Sequence, residues 1–131
     1  METAVIIVDE TGSGEVLRET KLVLASERVA ARELIRKRIF AEVAAFNEKP
    51  GSVFQGLVKP EEAETELNGY RLRKARKINP ETQCKKALDA FETNGFLMLA
   101  NDKQIESLDE DIVVTPTTRV AFIKLVPLVG G

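Results

Sequence analysis

The residues of this chain best suited to chemistry are its last two, Gly130 and Gly131, which follow the apolar segment Val126-Pro127-Leu128-Val129. Glycine makes up about 7% of average sequences, so two glycines at a chosen position arise by chance in roughly 0.5% of chains. Because glycine lacks a Cβ atom, a Gly-Gly tail can enter a narrow channel and present its carboxylate to a nucleotide or a thiol. The alternative is a frayed terminus or an artificial linker. The elements that precede the tail must therefore decide between a functional tail and this alternative.

Composition limits the chemistry of the rest of the chain. One cysteine, Cys84, and no histidine are present, which excludes an internal disulfide, a multi-thiolate metal site and Ser-His or Cys-His catalysis. No pair of carboxylates has a context suited to general acid–base work. Asp109, Glu110 and Asp111 form a contiguous acidic turn, which is typical of solvated charge and not of a metal site. We therefore expect a protein that is not an enzyme and that uses no metal or cofactor.

Length and charge balance favour one globular domain. Of the 131 residues, 44% are hydrophobic and 31% are charged, with a formal net charge of −2, as in ordinary soluble proteins. No apolar run is long enough to span a bilayer, and the start, Met1-Glu2-Thr3, lacks the basic character of a secretory signal. These features predict a single cytoplasmic domain over 1–131 with no membrane partner.

The first third of the chain predicts a hairpin and a helix. Residues 3–9 and 16–24 are strand-like and flank the turn signal Thr11-Gly12-Ser13-Gly14, a pattern typical of a β-hairpin. Ser26 is a candidate N-cap for a helix over about 27–46. Apolar residues recur there at helical spacing, and they are Ala31, Ile35, Ile39, Val43 and Phe46.

The next segment has weaker signals until residue 79. Asn79-Pro80 is a helix start with a cap and a first-turn proline, and Asn94-Gly95 is a helix stop. We therefore predict a second helix over about 80–93. Short apolar strands are predicted at 96–100 and about 119–125.

The C-terminal third resembles ubiquitin and its relatives in the order of its motifs. Phe96-Leu97-Met98-Leu99-Ala100 is similar to the middle strand of ubiquitin, and Lys103-Gln104-Ile105-Glu106 to its Lys-Gln-Leu-Glu. Ser107-Leu108-Asp109-Glu110-Asp111-Ile112 is similar to Thr-Leu-Ser-Asp-Tyr-Asn-Ile in ubiquitin. A last strand then leads into Leu128-Val129-Gly130-Gly131, which matches the Leu-x-Gly-Gly ending of that family. Together with the hairpin and the first helix, the resemblance covers about 1–48 and 94–131.

This resemblance implies an α+β fold of the ubiquitin-like β-grasp class. A single mixed sheet would pack on one long helix, with the last strand central and parallel to the first. An inserted segment at about 49–93, which contains the extra helix before the middle strand, departs from ubiquitin. The tail at about 126–131 is expected to be flexible. Pro127 and Val129 stand where ubiquitin has arginines, so enzymes that recognise those cations should not recognise this tail.

The function implied by the resemblance is that of a protein modifier. An activating enzyme would use Mg-ATP to adenylate the carboxylate of Gly131, with Gly130 as the other conjugation residue and Leu128 and Val129 recognised as the tail. The chain would pass to the cysteine of a conjugating enzyme and then to amines of target proteins, from which an isopeptidase would remove it. The tail implies dedicated enzymes, and the absence of a nuclear or secretory signal favours a bacterial pathway.

Two alternatives stay open. Residues 119–123, followed by an apolar tail with a proline and a diglycine, also resemble the small sulfur-carrier subunits of molybdopterin and thiamine biosynthesis. In those carriers the adenylated carboxylate becomes a thiocarboxylate. They are minimal domains, whereas this chain has a long insertion, which favours the modifier. The other alternative is an unconjugated β-grasp interaction domain.

Three further features are candidates for binding or reactivity. Val120, Phe122 and Lys124 share one face of the last strand. Because Lys124 favours solvent, we expect Val120, Phe122 and Met98 to form an exposed partner-binding patch. The basic cluster Arg71, Arg73, Lys74, Arg76 and Lys77 is more typical of a solvated face than of nucleic-acid binding, since aromatic residues are scarce. Cys84 lies on an apolar helix face and is expected to be a core residue.

Overall fold

The computed structural model describes residues 2–51, 53–66 and 69–125. The chain divides into two compact units: Met1–Leu34 with Phe91–Gly131, termed the terminal unit, and Ile35–Ala90, termed the middle unit. The described part is α+β, and its elements in chain order are β1 (Thr3–Thr11), β2 (Val16–Leu24), β3 (Arg28–Ala30), α1 (Ala31–Glu48), β4 (Val53–Phe54), β5 (Ala63–Glu66), β6 (Gly69–Leu72), α2 (Pro80–Glu92), β7 (Phe96–Ala100), β8 (Lys103–Gln104), β9 (Asp111–Val113) and β10 (Arg119–Lys124).

The terminal unit contains a mixed five-stranded sheet in the order β2-β1-β10-β7-β8. β10 runs parallel to β1, with Val120 opposite Ile7, and antiparallel to β7, with Phe122 opposite Met98. The predicted central position of the last strand, parallel to the first, is confirmed. One face of these three strands is buried, because Val5, Ile7 and their neighbours on that face are almost inaccessible to solvent.

The predicted N-terminal hairpin is also confirmed, since β1 and β2 pair antiparallel. Its turn is closed by the N–H of Gly14, which donates to the carbonyl oxygen of Thr11 at 3.0 Å. Gly14 has a φ of +89°, a backbone conformation that other residues rarely adopt. A glycine at this position therefore allows the chain to reverse between the two strands.

The start of α1 differs from the prediction. Ser26 does not cap the helix, because its Oγ accepts the N–H of Arg28 at 3.3 Å and residues 28–30 form β3, which pairs with β9. The helix instead begins at Ala31, and its first two N–H groups donate to the carbonyl oxygens of Glu110 and Leu108 at 2.8 and 2.9 Å. Backbone carbonyls from a distant segment thus satisfy donors that a helix leaves unpaired at its N-terminus.

The apolar face predicted for α1 is buried over most of its length. Ile35, Ile39 and Val43 are at most 1% exposed. Phe46 is only half-buried, and its ring packs edge-on against Phe54, with the ring centroids 5.3 Å apart. The burial of the first three residues is confirmed, and Phe46 lies at the margin of the core of the middle unit.

The middle unit has a sheet of its own, with three antiparallel strands in the order β4-β6-β5. The prediction of a single mixed sheet is therefore wrong, because the described residues also include this sheet and the β3-β9 pair. The predicted extra helix is confirmed as α2. Asn79 caps it, with its Oδ1 accepting the N–H of Thr82 at 3.1 Å, and Asn94 follows it in the left-handed conformation.

Polar side chains on the two helices hold the irregular segments of the middle unit. Asn47 bonds both backbone groups of Ile78: its Nδ2 donates to the carbonyl oxygen and its Oδ1 accepts the N–H, each at 2.8 Å. Gln83 is 1% exposed, and its Nε2 donates to the carbonyl oxygen of Val58 at 2.7 Å. Buried polar groups require partners, and here those partners fix the course of the connecting chain.

Candidate functional site

The predicted conjugation residues, Gly130 and Gly131, and the predicted tail-recognition residues, Leu128 and Val129, lie outside the described residues, which end at Leu125. Their roles stay predictions. The strand that precedes them in the sequence, β10, lies within the described residues.

β10 is held at both ends by hydrogen bonds. At its start, the backbone N–H of Arg119 donates to Oδ1 of Asn101 at 3.0 Å, and the Arg119 guanidinium lies 3.1 Å from the Glu19 carboxylate. Beyond its end, the N–H of Leu125 donates to the carbonyl oxygen of Gly95 at 3.4 Å. The residue that precedes the tail therefore lies just beyond the end of the central strand, next to the residue that precedes β7.

The predicted partner-binding patch is wrong, because Met98, Val120 and Phe122 are all 0% exposed. The Phe122 ring packs against Phe96, with centroids 5.8 Å apart. The two-residue alternation of the strand holds, but Lys124 does not mark the solvent face. Lys124 is the last residue of β10 and is half-buried. A lysine at a strand end can cover apolar surface with its stem while its ammonium group reaches water.

The opposite face of the same strands is the more accessible one. Leu97 pairs with Ile123 and Leu99 with Ala121 across β7 and β10, and all four are half-buried. Ile6 on β1 is half-buried as well. The apolar surface that a partner could reach on β1, β7 and β10 therefore includes these residues and not the predicted patch.

The acidic turn at 107–111 is an internally bonded structure. The Glu110 carboxylate accepts the N–H of Ser107 at 2.9 Å, and the Ser107 hydroxyl accepts the N–H of Asp109 at 3.1 Å. Asp109 pairs with Arg32 at 3.3 Å, and Asp111 pairs with a second arginine at 3.6 Å. Nowhere in the described ranges do three or more histidine, cysteine or acidic residues come together so that they could hold a metal ion.

Cys84 is buried, as predicted for a core residue. In the same unit, the Arg36 guanidinium donates to both oxygens of Glu81 at 3.2 and 3.4 Å and lies 4.5 Å from the centroid of the Phe40 ring. The hydrogen bonds and charge of Glu81 raise the pKa of Arg36 above its ordinary value. Arg36 therefore remains a cation at any ordinary pH.

The basic cluster is partly neutralised. Arg71 forms an ion pair with Glu66, and the Arg76 guanidinium donates to the carbonyl oxygen of Glu61. The other three members of the cluster are exposed and have no ion pair with any described residue, and they are Arg73, Lys74 and Lys77. The cluster thus presents three solvated cations.

Charge is divided unequally between the two units. The terminal unit has 13 acidic and 7 basic residues, and the middle unit has 8 acidic and 12 basic residues. Their formal charges are therefore −6 and +4. The small net charge of the whole chain conceals this difference. It predicts that the terminal unit attracts cationic partners and the middle unit anionic ones.

The structure also contains a cavity that the sequence does not indicate. It has a volume of about 220 Å³, is half-open and lies in the terminal unit, where the end of α2, the start of β7 and the residues after β8 meet. Its lining includes Phe91, Glu92, Phe96, Ile105 and Glu106. No periodicity or motif connects these segments, so the cavity becomes visible only once the strands are paired.

No helix within the described ranges is long and apolar enough to cross a membrane. No protein-family model matches the chain, and neither a curated protein nor a solved structure matches it.

Proposed function

We propose that this protein is a ubiquitin-like modifier, activated at Gly131 by an ATP-dependent adenylating enzyme and conjugated to amines of target proteins. The observation that carries the proposal is the sheet order β2-β1-β10-β7-β8, in which β10 lies at the centre and runs parallel to β1. A β-grasp fold requires this relation between its first and last strands. The resemblance to ubiquitin predicts a last strand that is central and parallel to the first, and this feature of the sheet supports the assignment of the terminal unit to that class.

The turn at 107–111 gives a second, independent support. This segment is one of those that resemble ubiquitin in sequence, and its backbone carbonyls at Leu108 and Glu110 accept the first two N–H groups of α1. A sequence match in a solvated loop would carry little weight. Here the matching residues connect the start of the long helix to the segment that precedes the last strand.

The chemistry would use the C-terminal carboxylate and no side chain of this protein. A carboxylate oxygen of Gly131 attacks the α-phosphorus of ATP, and pyrophosphate leaves, which gives an acyl adenylate. A cysteine thiol of the activating enzyme then displaces AMP to form a thioester. A cysteine thiol of the conjugating enzyme attacks the same acyl carbon, which releases the first thiol and forms a new thioester. A lysine amine of the target finally displaces the thiol. Two residues without Cβ atoms leave the acyl carbon open to each nucleophile.

In this proposal the chain is the substrate of other enzymes. Its partners are an activating enzyme that uses Mg-ATP, a conjugating enzyme, an isopeptidase and the modified proteins. The chain itself supplies a fold that these enzymes recognise and a tail that enters their active sites. A pathway of this kind in the bacterial cytoplasm would fit the sequence, and it requires Gly131 to carry a free carboxylate.

The last basic residue makes a direct test possible. Because no lysine or arginine follows Lys124, trypsin should leave the seven residues Leu-Val-Pro-Leu-Val-Gly-Gly (125–131) on a modified lysine. The chain is expressed with an N-terminal tag in the cells that encode it, purified under denaturing conditions and digested. Mass spectrometry should find this remnant on lysines of other proteins, and the free peptide 125–131 would show that Gly131 ends the mature chain.

Two variants control the experiment. Deletion of Gly130 and Gly131 should remove every such conjugate, and Gly131→Ala should reduce them. Gly12→Ala adds the same methyl group where no atom lies within 4 Å, so conjugation should be unchanged. Recovery of the peptide 125–131 with one oxygen replaced by sulfur, without any conjugate, would favour the sulfur carrier. Recovery of the unmodified peptide alone would contradict the proposal.

A further inference from the structure

We infer that the cavity beside the start of β7 binds a lysine or arginine side chain of a partner protein. Its volume of about 220 Å³ lies below the roughly 300–1,000 Å³ typical of small-molecule sites. A space of this size is suited to one inserted side chain. The chemistry of its walls and rim decides which side chain that is.

The walls combine apolar side chains, which are held in place, with the polar residues Asn94 and Gln104. Phe91, Phe96 and Ile105 are all at least nine-tenths buried, and the two rings pack with centroids 6.1 Å apart. The backbone N–H of Ile105 donates to the carbonyl oxygen of Met98 at 2.8 Å, which fixes Ile105 beside β7. The cavity is therefore formed before any partner binds. The apolar part of the walls can contact the aliphatic stem of a long side chain.

The rim carries two carboxylates with no cation beside them. Glu92 and Glu106 both line the cavity and are exposed. Neither carboxylate has an ion pair or a hydrogen bond with a described residue. A cation from another molecule would supply the missing partner. The net charge of −6 of the terminal unit would add attraction at longer range.

The end of α2 makes the same position more negative. Glu92 is the last residue of this 13-residue helix, and its last turn contains no basic residue. The C-terminal end of a helix carries a partial negative charge from its unpaired carbonyl groups, and a cation there is favourable. Here the helix end carries a glutamate instead. The helix dipole and the two carboxylates therefore act in the same direction, which selects a cationic side chain over a neutral one.

The cavity lies next to the point where the tail begins. Gly95, between two lining residues, accepts the N–H of Leu125, and residues 126–131 follow. If the proposed function holds, an activating enzyme or an isopeptidase that inserted a basic side chain here would grip the protein beside the tail it must act on. The cation site itself does not depend on that function.

The inference can be tested with small probes and the full-length chain. Nα-acetyl-lysine methylamide and Nα-acetyl-arginine methylamide are titrated into ¹⁵N-labelled protein, and the neutral norleucine analogue serves as the matched probe. Saturable shifts are expected at the backbone amides of Phe96, Leu97 and Ile105. The better cationic probe should bind at least about tenfold more tightly than the norleucine analogue, because charge-assisted hydrogen bonds contribute more than neutral contacts. The stronger of the two cations identifies the preferred side chain.

Charge-matched variants separate the rim from the general field of the protein. Glu92→Gln with Glu106→Gln should weaken binding about tenfold, whereas Glu2→Gln with Glu15→Gln, which removes the same charge from exposed positions, should not. Higher salt should weaken binding to the unaltered protein. Equal binding of norleucine and lysine, or an unchanged affinity in the rim variant, would overturn the inference. No step uses ATP or another protein, so this result is separate from any failure of conjugation at Gly131.

Discussion

The two units of this protein hold their chains in different ways. In the terminal unit, long strands form continuous ladders around a buried apolar face. β1, for example, pairs with β2 on one side and with β10 on the other over most of its length. In the middle unit, β4 has only two residues, and several connections are fixed by single polar side chains. Asn47 bonds Ile78, Gln83 bonds Val58, and other pairs act similarly.

This difference explains which parts of the chain can be recognised in the sequence. A ladder around a core needs alternating apolar residues, and that alternation is visible. A polar side chain that bonds a distant backbone group leaves no periodic signal. It also makes the local structure depend on one residue, because a buried backbone group without a partner is costly. In the terminal unit, we therefore expect substitutions of core residues to cause the largest losses of stability. In the middle unit, we expect substitution of single hydrogen-bonding residues to cause large local losses of stability.

The largest expected effect is that of Phe122→Ala. Because Phe122 is fully buried, its removal should lower the free energy of unfolding by about 3–5 kcal/mol through lost burial and a residual cavity. Urea denaturation measures this change. Ile123→Ala is the control, since Ile123 is half-buried on the opposite face and should cost clearly less. If both variants lost the same small amount of unfolding free energy, the burial of Phe122 would be contradicted.

Asn47→Ala should have an intermediate effect confined to the middle unit. The N–H and carbonyl of Ile78, a residue 4% exposed, would lose their side-chain partner at a cost of about 1–3 kcal/mol. Hydrogen exchange should show faster exchange of the Ile78 amide, while the amides of β10 keep their protection. Glu48→Ala, at the exposed neighbouring position, should change neither. Unchanged exchange at Ile78 would mean that side-chain bonds do not fix this segment.

The smallest effect concerns Tyr70 in β6. Burial, and to a lesser extent the charge of Glu42, raise the pKa of Tyr70 above its ordinary value. The unfolded chain loses the phenolic proton near pH 10 while the folded chain retains it. Tyr70 should therefore contribute stability below about pH 10 that is lost as the pH rises through the folded pKa.

A spectroscopic titration tests this directly, because the chain has one tyrosine and no tryptophan. The absorbance of tyrosinate should appear at a higher pH in the folded protein than in denaturant. Above about pH 10, the free energy of unfolding of Tyr70→Phe should also fall less steeply with rising pH than that of the unaltered protein. Identical titration midpoints in the two states would show that Tyr70 is as solvated as in the unfolded chain.

The hairpin and the caps of α2 could be predicted from local residue types. The parallel pairing of β10 with β1 could be predicted only from the element order together with the resemblance to ubiquitin. The exposed face of β10 could not, because Lys124 lies at a strand end where a long side chain can reach water from the buried side. Serine is a residue type that favours the N-cap position, but Ser26 does not cap α1. Residues 28–30 pair with β9 as strand β3, so the helix begins only at Ala31. The cavity combines three segments that no spacing rule relates.

The central claim, that Gly131 is the residue activated, is tested most directly by ATP–pyrophosphate exchange with the adenylating enzyme. The full chain should support exchange. The chain without Gly130 and Gly131 should not, while its unfolding midpoint stays the same, because neither glycine has a side chain to contribute to a core. Exchange that persists in the truncated chain, or that is absent with the full one, would contradict the account.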